Sequence, residues 1–284
     1  MTFLAATRPL AEARWVLLGA PLDLTVSYRP GSRFAPARIR EVSQALETYS
    51  PELDRDLEEV GLHDAGDLDL PPGNLEGSLG RIEAAVGEVA AAQRAPLLLG
   101  GEHLITLPAV RALRARFPDL AVIQFDAHAD LRDTYLEQRL SHATVMRRLA
   151  EVVGPGALFQ VGIRSGVREE FAFAAATHLY PGFRYELVGA VREAKRHLRR
   201  RPVYVTVDID VVDPGLAPGT GTPEPGGATP GELLRAVAQL AGLRVVGGDV
   251  VEVSPPYDAG DVTSLLAARL VREMILLFGS DRGR

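Results

Sequence analysis

The sequence predicts an α/β protein whose parallel β-sheet is covered by helices on both faces. Short apolar runs rich in β-branched residues recur along the 284 residues, and stretches with helical spacing of apolar positions separate them. Strands that alternate with helices are typical of parallel sheets, and runs that are apolar throughout are typical of strands buried on both faces. At this length the chain forms either one large domain or two small ones.

Six apolar runs have the length and composition of buried strands. They are Trp15 to Leu18, Pro96 to Leu99, Leu120 to Phe125, Leu158 to Ile163, Val203 to Val207 and Leu243 to Val253. Two further stretches are weaker candidates, His63 to Leu70 and Thr177 to Tyr180. With both included, the predicted sheet has about eight strands.

Helix boundaries are best marked towards the end of the chain. Thr229-Pro230-Gly231-Glu232 supplies an N-cap residue, a proline at the first helical position and a capping-box glutamate. We expect the last helix to begin at Asp261 or Thr263. An earlier alanine-rich helix is expected over Leu79 to Gln93, despite two internal glycines. The Pro- and Gly-rich passage from Asp213 to Pro230 is predicted to be an irregular loop, and long loops in compact domains are often functional.

Composition argues against several classes of protein. The net charge of −6 is opposite to that of the basic surfaces that bind nucleic acid. The chain has no cysteine, which excludes disulfides, thiolate zinc sites and cysteine nucleophiles. The N-terminal apolar stretch is interrupted by charges, unlike a signal peptide, and no run is apolar for the ~18 residues that a membrane helix needs. We therefore expect a cytoplasmic protein that binds neither nucleic acid nor membrane.

The most informative stretch is Asp126-Ala127-His128-Ala129-Asp130, which directly follows an apolar strand. Side chains two residues apart in an extended chain share a face, so that Asp126, His128 and Asp130 can converge on one point. Carboxylates crowded together in this way are unfavourable unless a cation or hydrogen-bond donors compensate for their charge. The simpler alternative is a strand end whose acids cap the next turn.

Two other predicted strands also end in potential metal ligands. The strand from Val203 to Val207 runs into Asp208 and Asp210, whose carboxylates again share one face. The strand from Pro96 to Leu99 ends at two glycines, and His103 follows shortly after. Ligands of parallel sheets bind beyond the carboxyl ends of the strands, so these endings can face one site. Taken alone, His103 is more often a hydrogen-bonded structural residue.

Together these endings provide two imidazoles and four carboxylates. The candidate ligands are His103, Asp126, His128, Asp130, Asp208 and Asp210. This set is too large for one tetrahedral zinc ion and rich in oxygen, which favours a pair of Mn²⁺ ions, with Zn²⁺, Fe²⁺, Co²⁺ or Ni²⁺ as alternatives. Two metal ions about 3.5–4 Å apart lower the pKa of a shared water molecule and supply hydroxide at neutral pH. The predicted reaction class is metal-assisted hydrolysis.

At these residues the chain resembles the ureohydrolase family, which includes arginases and agmatinases. The similar segments are Gly100-Gly101-Glu102-His103, Asp126-Ala127-His128-Ala129-Asp130, Ser141-His142-Ala143-Thr144 and Asp208-Ile209-Asp210-Val211-Val212-Asp213-Pro214. All six candidate ligands agree with the family in order and spacing, and the likeness covers nearly the whole chain. The resemblance implies a three-layer α/β/α fold around an eight-stranded parallel sheet, with residues 1–284 as a single domain. It also implies two manganese ions per subunit, hydrolysis of a guanidino group to urea, and a homo-oligomer, either a trimer or a hexamer.

The resemblance gives each ligand a role. Two carboxylates would bridge the metal ions, and the other four ligands would divide between the two coordination spheres. The bridging pair corresponds to Asp126 and Asp208, one sphere to His103 and Asp130, and the other to His128 and Asp210. A bridging hydroxide, oriented in part by Asp130, would attack the guanidinium carbon to give a tetrahedral intermediate that the metal ions stabilise.

Two further residues gain roles from the resemblance. His142 would carry a proton to the leaving amine, because imidazole titrates near neutrality. It also lies beside Ser141, a candidate helix N-cap, so that a structural role is compatible with the catalytic one. Glu252, within the predicted strand that ends at Val253, would bind the substrate guanidinium through paired hydrogen bonds. A buried ion pair with one of the many arginines is its structural alternative.

The loop at 131–140 indicates the substrate. Arginases hold the amino-acid head group with an Asn-containing loop at this place and with two aspartates after a Gly-Leu-Arg segment. Neither feature is present here, where the second segment begins Gly162-Ile163-Arg164. The loop with Arg132, Asp133 and Tyr135 is similar instead to that of agmatinases, as is the segment Val251-Glu252-Val253-Ser254-Pro255. We expect Asp133, Tyr135 and Glu137 to bind a small cationic guanidino substrate. The predicted reaction converts agmatine to putrescine and urea, a step of polyamine biosynthesis.

Several alternatives stay open at this point. N1-aminopropylagmatine, which would give spermidine and urea, needs the same metal centre and a channel that accepts a further amine. Arginase and formiminoglutamase activities fit less well, the latter because it requires a cationic pocket for its substrate's carboxylates. A deacetylase of the same fold normally uses one zinc ion and lacks this ligand pattern. A non-catalytic homologue would bind manganese and release no urea.

Overall fold

A parallel sheet is the central feature of the computed structural model, which describes residues 1–279. In chain order the strands are β1 (Trp15–Ala20), β2 (Tyr49–Ser50), β3 (Arg55–Asp56), β4 (Leu62–Asp67), β5 (Ala95–Gly100), β6 (Ala121–Phe125), β7 (Leu158–Val161), β8 (His178–Tyr180), β9 (Pro202–Asp208) and β10 (Arg244–Val251). β2 and β3 pair as a short antiparallel ribbon. The other eight strands form one parallel sheet in the order β4-β1-β5-β10-β9-β6-β7-β8.

Helices cover both faces of this sheet. They are α1 (Ala35–Ser43), α2 (Leu75–Ala91), α3 (Thr106–Arg116), α4 (Val145–Val153), α5 (Arg168–Ala174), α6 (Leu187–Leu198), α7 (Pro230–Ala238) and α8 (Val262–Phe278). Helices α1, α6, α7 and α8 contribute to one hydrophobic core, and α2 to α5 contribute to the other. Alternate residues of β1 point into opposite cores, with Trp15 and Leu17 in the first and Val16 and Leu18 in the second. The predicted three-layer α/β/α fold with an eight-stranded parallel sheet is confirmed.

The predicted strands are all present, with shifted ends. The largest shifts are at the C-terminal ends, where β1 continues to Ala20 and where β4 stops at Asp67, β7 at Val161 and β10 at Val251. The prediction that Glu252 lies within the last strand is therefore wrong: this residue comes directly after β10, where the backbone leaves the extended conformation. The ribbon of β2 and β3 was not predicted, because two-residue strands carry no measurable periodicity.

The predicted helix starts are accurate where the capping residues were recognised in the sequence. α7 begins as predicted, since Thr229 and Glu232 form a reciprocal capping box around Pro230. α2 begins at Leu75, four residues before the predicted start, because the Asn74 side chain accepts a hydrogen bond from Gly77 N. α8 begins between the two predicted positions. Its first turn is capped from outside the helix by the carboxylate of Asp258, which accepts hydrogen bonds from Thr263 N and Ser264 N.

No helix within residues 1–279 is both long enough and apolar enough to cross a bilayer.

Candidate metal centre and active site

The candidate ligands and Glu252 follow the four central strands of the sheet. In sheet order these strands are β5, β10, β9 and β6. His103 lies just beyond β5, Asp208 is the last residue of β9, and Asp126 is the first residue after β6. Glu252 follows β10, between the strands that supply His103 and Asp208. Because neighbouring parallel strands end at one edge of the sheet, residues far apart in the sequence meet there.

His103 lies at the centre of one group of potential ligands. Its Nδ1 atom is 3.1 Å from Asp126 Oδ2, 3.3 Å from Asp130 Oδ2 and 3.3 Å from Asp208 Oδ2. All four side chains are at least nine-tenths buried. Three of these atoms, from His103, Asp126 and Asp208, converge closely enough to hold one metal ion.

His128 lies at the centre of a second group. Its Nδ1 atom is 2.9 Å from Asp210 Oδ2 and 3.7 Å from Asp126 Oδ1. Asp126 therefore belongs to both groups, with Oδ2 directed towards His103 and Oδ1 towards His128. This is the arrangement that a bridging carboxylate requires. The division of the ligands between two metal ions that the sequence predicts is compatible with these contacts and stays a prediction.

Backbone amides hold one oxygen of three aspartates and thereby orient the other. Asp208 Oδ1 accepts a hydrogen bond from Asp210 N at 2.9 Å, and Asp210 Oδ1 accepts one from Ala127 N at 3.0 Å. Asp126 Oδ1 accepts one from His128 N at 2.6 Å. In Asp208 and Asp210 the remaining Oδ2 atom faces the cluster. The carboxylates are thus positioned by the same turns that end the strands.

Two polar residues inside the strands support the ligands and were not singled out in the sequence. Gln124 Nε2 donates to Asp126 Oδ2 at 2.6 Å, and Gln160 Nε2 in turn donates to Gln124 Oε1 at 2.7 Å. Thr206 Oγ1 lies 2.9 Å from His103 Nε2. Partners of this kind orient metal ligands and select the histidine tautomer. A glutamine and a threonine within otherwise apolar strands were the signal that sequence reasoning passed over.

The buried carboxylates repel one another. Burial and the nearby charges of Asp210 and Asp126 raise the pKa of Asp208 well above its usual range. Burial and the charge of Asp126 raise the pKa of Asp130 to about 7. Although burial opposes the effect, the surrounding carboxylates raise the pKa of the His103 imidazole well above its usual value. The cluster therefore needs positive charge, which divalent cations would supply while the carboxylates stay ionised.

The hydrogen bonding of His103 is a second indication that the residues present fit a metal pair. His103 Nδ1 is buried and makes no hydrogen bond of acceptable geometry with any residue in the described range, even though three carboxylate oxygens surround it. In the neutral tautomer whose Nε2–H donates to Thr206, which a metal ion would select, the Nδ1 lone pair faces those oxygens. A nitrogen lone pair and carboxylate oxygens that converge on one point are a ligand set for a transition-metal dication.

Glu252 is held beside this cluster in an unusual backbone conformation. Its φ of +62° is rare for a residue other than glycine. Hydrogen bonds fix it there: Glu252 N donates to Gly101 O at 2.9 Å, and Oε1 accepts from His103 N at 2.7 Å. Burial and the neighbouring carboxylate of Glu102 raise its pKa to about 8. No arginine in residues 1–279 pairs with Glu252, so the structural alternative of a buried ion pair is not found there. Strain maintained in this way often marks a functional residue.

His142 is positioned by a threonine that carries no recognisable sequence signal. Thr25 Oγ1 accepts a hydrogen bond from His142 N at 3.0 Å, and the same hydroxyl donates to the buried carboxylate of Glu102 at 2.5 Å. Burial, together with the positive charges of His128 and His103, lowers the pKa of His142 to about 4. This pKa is below the near-neutral value expected from the sequence, because burial and the two cationic imidazoles disfavour the charged form; the ring is neutral at pH 7 and its lone pair can accept a proton. Ser141 caps the turn that begins at His142, so the predicted structural role is present as well.

A cavity of about 300 Å³ opens over the cluster. It is lined by Ser27, His103, His128, Ala129, Asp130, Arg132, Tyr135, His142, Ala143, Ser165, Gly166, Val167, Glu170, Asp208, Asp210, Thr222, Glu224 and Glu252. The cavity thus brings together several predicted metal ligands, Glu252 and His142, the candidate for proton transfer. Asp126 lies beneath them, fully buried.

The residues predicted to bind the substrate are not all in this cavity. Tyr135 is, and its ring packs edge-on against His142 with centroids 5.8 Å apart. Asp133 instead pairs with Arg148, at 2.6 Å between Oδ1 and Nη2, and its side chain is 58% exposed. Glu137 is exposed and lies outside the cavity lining. A carboxylate that sequence reasoning missed, Glu224, does line the cavity, and it belongs to the loop between Asp213 and Pro230 that was predicted to be irregular and functional.

Comparisons with known proteins agree with this geometry. The sequence profile of the arginase family matches residues 13–277. Agmatinase from Bacillus cereus is 49% identical over 278 residues, covering 96% of this chain and 95% of that protein. The human mitochondrial guanidino acid hydrolase is 37% identical, covering 91% of this chain and 76% of that protein. The crystal structure of agmatine ureohydrolase from Thermoplasma volcanium has a TM-score of 0.89 and 35% identity, covering 98% of this chain and 94% of that chain.

The fold and the site together define an α/β/α protein with a candidate two-metal hydrolytic centre at the carboxyl edge of its sheet. The match over almost the whole chain is more specific: the protein belongs to the arginase family and is a ureohydrolase-type enzyme. The resemblance predicted from the sequence motifs is confirmed.

Proposed function

We propose that this enzyme hydrolyses agmatine to putrescine and urea. The observation that carries the proposal is the placement of Glu252, whose buried carboxylate opens into the same cavity as the ligand cluster. A guanidinium held by Glu252 would have its carbon beside the metal-binding atoms. The 49% identity to an agmatinase over nearly the full chain supports agmatine as the guanidino compound.

The cluster residues would hold two divalent metal ions, for which we propose Mn²⁺ because four of the six ligands are carboxylates. When bound, the metal pair supplies a water molecule that is acidic enough to react at neutral pH. Glu252 orients the planar guanidinium through charge-assisted hydrogen bonds. Asp130, whose Oδ2 lies 3.3 Å from His103 Nδ1, would accept a hydrogen bond from the attacking water.

The reaction needs a proton on the leaving group. Addition of water to the guanidinium carbon forms a carbon–oxygen bond, and the bond to the alkyl-bearing nitrogen then breaks. That nitrogen leaves as the amine of putrescine, and the rest is urea. His142 is neutral at pH 7 and lines the cavity, so it can accept a proton released from the attacking water and deliver it to the departing nitrogen.

Replacement of the proton carrier should separate chemistry from metal binding. We expect His142→Ala to lower kcat by roughly 10²–10⁴-fold, the usual contribution of a positioned acid–base group. Metal content should persist, because His142 is in neither ligand group. The measurements are urea release and metal analysis. His197→Ala, which removes an exposed imidazole from α6, is the matched control. Turnover that is equal in the two variants would contradict the assignment.

A substrate series tests the proposed function directly. With added Mn²⁺, we expect urea release to have a higher kcat/KM for agmatine than for N1-aminopropylagmatine or arginine. Preferential release from arginine would contradict the proposal, and preference for aminopropylagmatine would favour the spermidine-forming alternative. Manganese binding without urea from any of the three would identify a non-catalytic homologue.

Other parts of the proposal rest on the family resemblance. We propose that residues 1–284 act as one ureohydrolase domain, that the enzyme works in the cytoplasm, and that it assembles as a trimer or hexamer. Asp133 and Glu137 stay predicted substrate contacts, and their position outside the cavity lining means that the loop at 131–140 would have to move for them to reach a bound molecule.

A further inference from the structure

We propose that Glu224 recognises the ammonium group at the far end of the substrate. This inference rests on the proposed function, because it concerns the part of agmatine that does not react. Glu224 lines the same cavity as Glu252 and the ligand cluster. It would make the enzyme selective for guanidino compounds that carry a second positive charge.

Charge pairing inside the cavity singles out Glu224. Three of the six lining carboxylates belong to predicted metal ligands, and Glu252 is assigned to the guanidinium. Glu170 is already satisfied, since its oxygens accept hydrogen bonds from Leu131 N at 2.9 Å and Val167 N at 2.8 Å, with Arg132 at 3.7 Å. Within residues 1–279, no group donates a hydrogen bond to the Glu224 carboxylate or forms an ion pair with it. It is the lining carboxylate left free for a cationic ligand.

The backbone of Glu224 is held tightly, in contrast to its free side chain. Arg164 Nη2 donates to Glu224 O at 2.5 Å and to Asp210 O at 2.8 Å. The same guanidinium reaches Val211 O at 3.2 Å and Pro225 O at 3.2 Å. Arg164 therefore ties the cavity loop to the backbone of a predicted metal ligand, so that the position of Glu224 relative to the cluster is set before substrate arrives.

The same loop is anchored at Glu252 on its other side. Thr220 Oγ1 donates to Glu252 O at 3.1 Å, and a Cβ at Gly221 would lie 3.3 Å from Glu252 Oε2. Four residues of extended chain span at most about 14 Å, which bounds the distance between the Thr220 and Glu224 backbones. One cavity wall thus carries two carboxylates, with Glu252 beside the start of this segment and Glu224 at its end. Agmatine, with positive charges at both ends of a four-carbon chain, complements this wall.

The charge of Glu224 also predicts which substrates are rejected. A guanidino acid of similar length carries a carboxylate where agmatine carries an ammonium, and like charges brought together in a cavity are unfavourable. Arg132 is the cavity-lining group that could bind such a carboxylate, but it lies 3.7 Å from Glu170 and stacks on the Tyr135 ring. The free charge that faces a substrate is therefore negative.

The test compares agmatine with butylguanidine, which has the same chain length and no distal charge. We expect Glu224→Gln to lower the ratio of kcat/KM for agmatine to that for butylguanidine by about 10-fold, mainly through KM, because a charge-assisted hydrogen bond is lost at a partly exposed site. Glu169→Gln, at an exposed acid near the cavity, is the matched control and should leave the ratio unchanged. Glu224→Arg should in addition raise kcat/KM for 4-guanidinobutyrate.

Several outcomes would overturn the inference. If Glu224→Gln weakens both substrates equally, the residue acts only through the loop, and if neither substrate changes, it does not contact the distal group. Agmatine affinity, measured by calorimetry, separates this inference from the proposed function. If the wild-type enzyme binds agmatine but releases no urea, the proposed function is wrong. The role of Glu224 is then decided by comparing the agmatine affinity of Glu224→Gln with that of the wild type. Wild-type enzyme that neither binds nor hydrolyses agmatine would overturn both.

Discussion

Asp126→Asn is expected to remove at least one metal ion per chain and to lower kcat/KM by at least about 100-fold, since even outer partners of metal ligands contribute 10–100-fold. The reason is that Asp126 belongs to both ligand groups, with one oxygen directed at each. An amide offers one oxygen and no charge, so it cannot bridge two cations in the same way. Metal analysis of the dialysed protein and urea release at saturating Mn²⁺ are the two measurements.

The control for this variant is Asp69→Asn, which makes the same chemical change at a side chain that is 97% exposed. It should retain full metal content and activity. If Asp126→Asn binds as much metal as the wild type, with unchanged affinity, Asp126 does not bridge the two ions, and the carboxylate of Asp208 alone would have to do so.

Glu252→Gln is expected to lower kcat/KM by roughly 30- to 5000-fold, which corresponds to the roughly 2–5 kcal/mol lost when one partner of a buried charge pair is removed. The substitution retains the side-chain oxygen that accepts from His103 N and the size of the side chain. It removes the negative charge that would balance the guanidinium under the proposed function. Metal content should be unchanged, because Glu252 belongs to neither ligand group.

A measurement of metal content beside kcat/KM makes the Glu252 prediction specific. Glu41→Gln, on α1 and outside the cavity lining, is a matched control that should behave as the wild type. Loss of metal in Glu252→Gln would mean that the residue supports the cluster instead of the substrate. Unchanged kcat/KM with full metal content would mean that another group binds the guanidinium.

Most of the fold was predictable because the strands are buried on both faces. A strand such as Val203 to Val207 is apolar throughout, and local composition is enough to recognise it. Boundaries were less predictable where tertiary contacts provide the cap. The first turn of α8 depends on Asp258, several residues before the helix, and the turn at Glu252 depends on Gly101 and His103, which are far away in the sequence.

The site was predictable to the extent that its chemistry is local. Asp126 and His128 are two residues apart, so an extended backbone brings them to one face without help from the rest of the chain. Residues whose role depends on contacts with distant parts of the sequence were missed. Thr25 reaches His142 across 117 positions, and Glu224 lies in a loop whose course is set by Arg164, 60 positions away.

The sequence by itself identified the candidate metal ligands, because alternation along a strand end is a local property of the backbone and the ligand types are specific. Only the tertiary structure decided that β5, β10, β9 and β6 are neighbours, which brings His103, Glu252, Asp208 and Asp126 to one edge. It also decided which acids face the cavity, placing Glu224 there and turning Asp133 towards Arg148. The physical reason is that strand order and loop course depend on packing between distant segments, which no local pattern records.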